Sequence, residues 1–323
     1  MTDTGLNDVL VVGAGAWGTA LAIQAARTGR RVRLWARSEE TAIRLQDSRH
    51  NPRLPGIMIP DAVTVTHKLD QAACALLAVP MQHMRAVAQN LPPMRLITCC
   101  KGVESKTGLF PLEILATLFP DLPHAVLSGP NFAHEVAAGL PAASVIASTD
   151  AGLRSDIIHA LGSAGFRLYG NADPVGAQVG GAAKNVIAIA AGVTIGAGLG
   201  ENARAALVTR GIAELSRLAV TLGGQATTVA GLSGLGDLLL TCTGKASRNF
   251  RLGFALGQGM ALDQALSASE GVVEGVMTAP ALLHRAGPNA DLPIISAVAA
   301  MVSGQADFQE AMSALLSRPV RDE

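Results

Sequence analysis

Short apolar runs punctuate the first half of the chain at 8–12, 31–35, 74–79, 96–99, 125–127 and 144–147, with 166–169 closing the series. Most of these runs lack the polar alternation of a half-wetted strand, so they predict strands covered on both faces. Between them lie segments with apolar residues at helical spacing, of which 19–28, ending at Gly29, is the clearest. Strand and helix in alternation predict a parallel sheet flanked by helices on both sides. From Val175 onward the pattern changes: Ala, Leu and Gly dominate at helical spacing and no run reads as a strand. This half is expected to be all helical, opening with a long apolar helix around 181–191 and continuing through 203–222. The boundary is expected near Asp173-Pro174, giving domains over 1–172 and 173–323.

Composition narrows the function classes. A chain of 323 residues suits two domains, and 49% hydrophobic with 15% charged residues excludes a disordered protein. The 25 basic and 25 acidic side chains cancel, which removes any general pull toward nucleic acid. A mean hydropathy of +0.35 raises the question of a membrane. The most apolar stretch, 186–199, contains glycines and falls short of the ~20 residues a spanning helix needs, so it is expected to be a buried helix rather than an integral membrane segment. Residues 1–8 carry two acids and no basic-apolar signal pattern, from which a cytoplasmic location is expected.

The four cysteines form no C-x-x-C pair, and the adjacent Cys99 and Cys100 point to opposite faces of an extended segment. His134-Glu135 begins like a zinc-binding H-E-x-x-H helix, but Ala138 stands where the second histidine belongs. Reduced thiols and no metal are expected.

Gly13-Ala14-Gly15-Ala16-Trp17-Gly18 lies between the run 8–12 and the helical segment 19–28. In that setting G-x-G-x-x-G marks a dinucleotide site. The first glycine permits a tight turn, the second lets backbone N–H groups approach a pyrophosphate, and the third lets helix and strand pack closely. An ordinary glycine turn is the competing reading. After the run 31–35, Arg37 stands in the region where an NAD-selective site carries an acid for the ribose hydroxyl. A cation there favours or tolerates a 2′-phosphate, so the expected cofactor is NADP(H) or NAD(H), with a solvated surface arginine as the alternative.

A nicotinamide enzyme also needs a proton donor or acceptor at the substrate oxygen. Lys184, set among Ala, Gly, Val and Ile, is expected to be desolvated with a lowered pKa, unless it snorkels to the surface. Asp237, in a glycine-rich turn near Thr241, holds that ammonium, accepts from a substrate hydroxyl, or caps a helix. Arg248 and Asn249, following Ser247, offer donors for a phosphate or form a polar surface turn. Lys101 follows the run 96–99 at the carboxyl edge of the expected sheet, where ligands bind. The segment from Ser128 to Ala133 either lines the cofactor site or is a glycine-proline loop.

Taken together, the blocks GAGAWGTALA, CKGVE, SGPNFAHEVAAG, GAAKNVIAIAAG, NARAALVTRG, GLSGLGDLLLTCT, SRN and VVEG make the chain closely resemble the bacterial NAD(P)-dependent glycerol-3-phosphate dehydrogenases over nearly its whole length. The resemblance implies a Rossmann-type doubly wound α/β domain followed by an all-α domain like the C-terminal domain of 6-phosphogluconate dehydrogenase. It implies reduction of dihydroxyacetone phosphate to sn-glycerol 3-phosphate for glycerophospholipid synthesis, with Lys184 exchanging the proton. Position by position, Gly13, Gly15, Ala16, Trp17, Gly18, Arg37, Lys101, Ala133, Arg248, Val272 and Glu274 match cofactor contacts. Lys101, Gly129, Asn131, Lys184, Asp237, Ser247, Arg248 and Asn249 match substrate contacts. Asn131 stands where many members have Thr or Ser, Ala16 where Ser is common, and Arg53 where Tyr is usual. The substrate is a small molecule, and a homodimer is left open. Two other readings compete: an NADP-dependent reductase of the same two-domain plan acting on a 2-keto or hydroxy acid, and a catalytically silent dinucleotide sensor.

Overall fold

The apolar runs of the first half become strands, and the side-chain alternation within each decides which helical layer it meets. The computed structural model describes residues 5–269 and 271–316. In chain order the first part comprises β1 (Asp8–Val12), α1 (Ala16–Arg27), β2 (Arg31–Trp35), α2 (Glu39–Ser48), β3 (Val63–Thr66), β4 (Cys74–Leu77) and α3 (Met81–Ala88). It continues through β5 (Arg95–Thr98), α4 (Pro111–Leu118), β6 (His124–Ser128), α5 (Ala133–Ala138), β7 (Ala142–Ala147), α6 (Ala151–Leu161) and β8 (Phe166–Asn171). The strands form one sheet in the order β3-β2-β1-β4-β5-β6-β7-β8.

Val9 and Val11 of β1 join Val32, Leu34, Leu76 and Ile97 in a core shared with Leu21 of α1 and Leu153 and Ile157 of α6. The intervening Leu10, Leu77 and Leu96 are equally buried and, by the two-residue period of a strand, face the opposite layer, where α3 and α4 lie against each other and α4 meets β5 and β6. Burial on both faces is what the uninterrupted apolar runs predict. The chain order reverses between β1 and β4, the kind of switch point at which open α/β sheets bind ligands beyond the strands' carboxyl ends.

Two features differ from the expected sheet. β3 does not read as an apolar run because it is an edge strand, with Val63 and Val65 buried and Thr64 exposed between them. The pairing of β7 with β6 is antiparallel in an otherwise parallel sheet. Ser128, the last residue of β6, pairs with Val145, so β7 starts at the carboxyl end of β6 and runs back. Apolar periodicity reports burial, and it carries no direction.

The chain divides into two compact units: up to Lys101 together with Phe110–Ala177, and Gly102–Leu109 together with the chain from Gln178 onward. In the second unit the described residues are helical: α7 (Pro174–Gly196, whose first turn belongs to the first unit), α8 (Gly200–Thr221), α9 (Ala226–Val229), a π-helical turn at Leu232–Gly236, and α10 (Asp237–Cys242). They continue as α11 (Arg248–Gly257), α12 (Leu262–Ser267), α13 (Glu274–Ala286), α14 (Pro293–Val302) and α15 (Phe308–Leu316).

At 23 residues α7 is longer than its most apolar stretch indicated, and is long and apolar enough to cross a membrane; 89% of its most apolar window is instead buried within the protein. Its glycines do not interrupt it. A Cβ added at Gly192 would fall 2.1 Å from Phe250 O, and one at Gly196 2.2 Å from Phe254 O, both on α11. Reciprocally, Cβ atoms at Gly253 and Gly257 would fall 1.9 Å from Ile189 O and 2.3 Å from Val193 O. The two helices therefore touch backbone to backbone along a glycine seam. Elsewhere in this unit, the buried Glu214 of α8 accepts hydrogen bonds from Ile294 N (2.7 Å) and Ile295 N (3.2 Å), capping the start of α14.

Candidate active site

The glycine turn after β1 shows a distinct physical job for each glycine. At Gly13, with φ of +118°, a Cβ would meet Ala78 O at 2.8 Å, so neither the backbone angle nor the space admits a side chain. At Gly18 a Cβ would lie 1.8 Å from Gly13 O, so this position lets α1 start hard against the turn. At Gly15 a Cβ would meet nothing within 4 Å, which leaves the approach to the turn open. Gly15 is the N-cap of α1, offers no side-chain cap, and no acid lies in the first turn. Open backbone N–H groups at a positive helix end fit the pyrophosphate of a dinucleotide. Ala16 and Trp17 supply that first turn and are half-buried.

Asn51 supports the turn from outside. Its Nδ2 donates to Ala14 O at 3.2 Å and to Thr19 Oγ1 at 2.7 Å. The sequence over 51–60 keeps part of the family's spacing and leaves a substrate or cofactor contact there open. That Asn51 braces the glycine turn is not legible in it, because a contact across 37 residues leaves no local signature. Arg37 is exposed just beyond β2, beside Ser38, which caps α2 by accepting from Thr41 N.

Lys101 follows β5 and donates to Gly129 O at 3.1 Å, tying its ammonium to the loop after β6. Gly129 has φ of +149°, and a Cβ there would sit 3.0 Å from Ser144 Cα, so the loop is pressed onto β7. Asn131 Nδ2 donates to Ser144 Oγ at 2.6 Å, and Ala133 opens α5 two residues later. This segment is a braced loop of the first unit rather than a free glycine-proline turn.

In the second unit, Lys184 of α7 is 8% exposed and Asp237 0%. Lys184 Nζ donates to Asp237 Oδ1 at 2.5 Å and to Thr241 Oγ1 at 3.0 Å. Thr241 Oγ1 in turn donates to Asp237 O, one turn back on α10. The lysine is therefore a buried, paired cation and not a surface one. Asp237 is not the cap of α10; Gly236 is, and the carboxylate points instead to the ammonium. The π-helical turn before it presses on α7, since a Cβ at Gly180 would fall 2.6 Å from Ser233 O. Thr241 has a definite place in this cluster as a second partner of Lys184, four residues after Asp237 on the same helix face. The adjacent Cys242 thiol is pushed up to about 12 by burial, against the lowering pull of Lys184, so it stays neutral at physiological pH.

Ser247 caps α11 by accepting from Phe250 N at 3.2 Å, which makes Arg248 the first helical residue rather than part of a polar turn. Arg248 is exposed, and a Cβ on Gly271 would come 2.9 Å from its Nη1. Asn249 is buried. Its Nδ2 donates to Asn185 Oδ1 at 2.9 Å while Oδ1 accepts from Gly275 N at 3.0 Å, joining α7, α11 and the start of α13. Val272 lies exposed just before α13 and Glu274 is its first residue. Within the second unit the structure thus gathers Lys184, Asp237 and Thr241 into one cluster, and Asn249, Asn185 and Gly275 into another.

Residues 8–153 match the N-terminal domain, and residues 173–313 the C-terminal domain, of the NAD-dependent glycerol-3-phosphate dehydrogenases. The chain belongs to the glycerol-3-phosphate dehydrogenase family. A family relative from Acidiphilium cryptum named glycerol-3-phosphate dehydrogenase [NAD(P)+] is 54% identical over 97% of both chains. A relative of the same name from Gluconobacter oxydans is 49% identical over 96% of this chain and 97% of its own. The crystal structure of glycerol-3-phosphate dehydrogenase from Coxiella burnetii superposes with a TM-score of 0.91 at 36% identity, covering 96% of this chain and 98% of that one. The glycine turn, the Lys101 and Asn131 loop and the Lys184 cluster all lie within the residues matched to the glycerol-3-phosphate dehydrogenase domains.

Proposed function

We propose that this chain reduces dihydroxyacetone phosphate to sn-glycerol 3-phosphate with NADPH or NADH, supplying glycerophospholipid synthesis. The observation that carries the reading is the buried Lys184–Asp237–Thr241 cluster in a chain of this family. When bound, the reduced nicotinamide supplies the hydride that the carbonyl carbon accepts. Lys184 gives a proton to the carbonyl oxygen as that carbon is reduced, and takes it back in the oxidation direction. Asp237 and Thr241 hold the ammonium by two hydrogen bonds, so its direction is set before substrate arrives.

The remaining roles are those the family resemblance implies, and charge and position are in keeping with several of them. Gly13, Gly15 and Gly18 shape the pyrophosphate turn, with Ala16 and Trp17 beside it, and Arg37 meets the ribose or its 2′-phosphate. Arg248, exposed at the start of a capped helix, takes the substrate phosphate and reaches the cofactor, supported by Ser247 and Asn249. Lys101 serves cofactor and substrate; Gly129 and Asn131 contact substrate; Ala133, Val272 and Glu274 contact cofactor. The proposal includes a cytoplasmic location; α7, mostly buried within the protein, is a core helix rather than a lipid anchor.

The test is steady-state oxidation of NADPH and of NADH with dihydroxyacetone phosphate and with ketopantoate, run in parallel with reduction of NADP+ and of NAD+ by 6-phosphogluconate. Turnover is expected with dihydroxyacetone phosphate alone. Preference for either other substrate would move the chain to a different reductase, and no turnover with any would favour a sensor.

A further inference from the structure

The loop after β6 holds a polar side chain whose hydrogen bonding is incomplete. Asn131 Nδ2 donates to Ser144 Oγ at 2.6 Å and lies 3.5 Å from Ala143 O. A backbone carbonyl only accepts, so the nitrogen of the amide, and not its oxygen, belongs on the Ala143 side. Asn131 Oδ1 is left on the other side of the amide, buried, and no group among the described residues donates to it. A buried acceptor without a donor is unfavourable, so its arrangement makes sense when a ligand completes it. Ser144 is fully buried in β7, and the close approach of Gly129 to its Cα leaves this loop little freedom to turn the amide otherwise.

We propose that Ser144 is a positioning residue for Asn131, and that the carbonyl oxygen it presents accepts a hydrogen bond from the free hydroxyl of the substrate. The proposal rests on the reading of Gly129 and Asn131 as substrate contacts. The chemistry of dihydroxyacetone phosphate selects the group. Its phosphate dianion and its ketone oxygen only accept, and neither can satisfy Oδ1. Its primary hydroxyl is the one group that donates. A site that bonds a hydroxyl through a buried polar atom discriminates strongly against a substrate lacking it, because the atom is then left unpaired. The cofactor brings donors of its own, the carboxamide N–H and the ribose hydroxyls, and the experiment separates cofactor from substrate.

Kinetics are measured for the native chain, Ser144→Ala, Ser144→Thr, Asn131→Ala and the Ser144→Ala/Asn131→Ala double variant, each with dihydroxyacetone phosphate and with hydroxyacetone phosphate, the ketone lacking the free hydroxyl. The native chain is expected to favour dihydroxyacetone phosphate by about 100-fold or more in kcat/KM. Ser144→Ala is expected to narrow that preference about ten-fold, through loss on dihydroxyacetone phosphate alone, with the KM for NADPH unchanged. Ser144→Thr, which keeps the hydroxyl, restores the preference, and Ser144→Ala costs nothing further once Asn131 is alanine. Equal losses on both substrates, or a Ser144→Ala effect that persists without Asn131, overturn the proposal. A loss confined to the KM for NADPH also overturns it and assigns Oδ1 to the cofactor. A native chain that turns over dihydroxyacetone phosphate without discriminating overturns this inference alone, whereas one that does not use that substrate overturns the proposed function.

Discussion

At Lys184 a charged group is kept inside the protein by hydrogen bonds that it donates to an acid, itself fully buried, and to a threonine one helical turn further on. Burial of this kind is sustained only while the Lys184–Asp237 pair is intact, because removing either residue leaves the other charge unpaired in a medium that solvates it poorly. Lys184→Ala should therefore lower turnover by about 100-fold or more while leaving NADPH binding nearly intact, the loss expected of a general acid. Fluorescence titration of the cofactor beside steady-state turnover checks both halves; near-normal turnover would remove Lys184 from the chemistry. The residue itself was legible in the sequence, since a lysine amid Ala, Val and Ile is conspicuous. Asp237 was legible beside it as a candidate partner, whereas the second partner was not. Thr241 and Asn185 look like ordinary helix residues until folding sets them against Lys184 and Asn249.

Among the elements, the contact of α7 with α11 is the most constrained. Alanine suits a helix interior better than glycine by about 1 kcal/mol, so on propensity alone Gly253→Ala would stabilise the protein. Its new methyl group, however, would fall 1.9 Å from Ile189 O, and the helices would have to part. A net loss of about 1–3 kcal/mol is expected, seen as a lower midpoint in denaturant, since backbone cannot yield as a flexible side chain can.

The capping of α14 by Glu214 is a second test at this level. Burial raises the Glu214 carboxyl to about 7 from 4.5, overriding the two backbone N–H bonds and Arg217, which lower it, with Asp291 adding to the rise. A native pKa above the unfolded one means that the folded state holds the extra proton between those values. The stabilisation is then complete below about 4.5 and is lost as pH rises through about 7, amounting to a few kcal/mol, roughly 2–3. Glu214→Gln cannot titrate, so its Tm should gain on that of the native chain as pH is raised from about 5 to about 8. A difference that stays constant across that interval would show that Glu214 carries no such pH dependence.

For the molecule as a whole, periodicity revealed the layers because burial on two faces leaves unbroken apolar runs, and the glycine motif revealed the turn because each glycine there answers a steric demand. Strand direction and the edge strand β3 were hidden, the first because pairing sense leaves no residue signature, the second because alternate threonines face outward. The true length of α7 was obscured for a related reason: glycines that look like interruptions are where another helix lies closest.

The reversal of β7 bears on how this enzyme's selectivity is built. In a uniformly parallel sheet, the opening residues of every strand lie at the rim remote from ligands, and only closing residues reach the reactive rim. Because β7 travels the other way, its third residue, Ser144, arrives beside the loop that leaves β6. A rigid strand, rather than another mobile connection, thereby aims the amide of Asn131. Change in this corner of the molecule is confined to substitutions the sheet itself can accommodate.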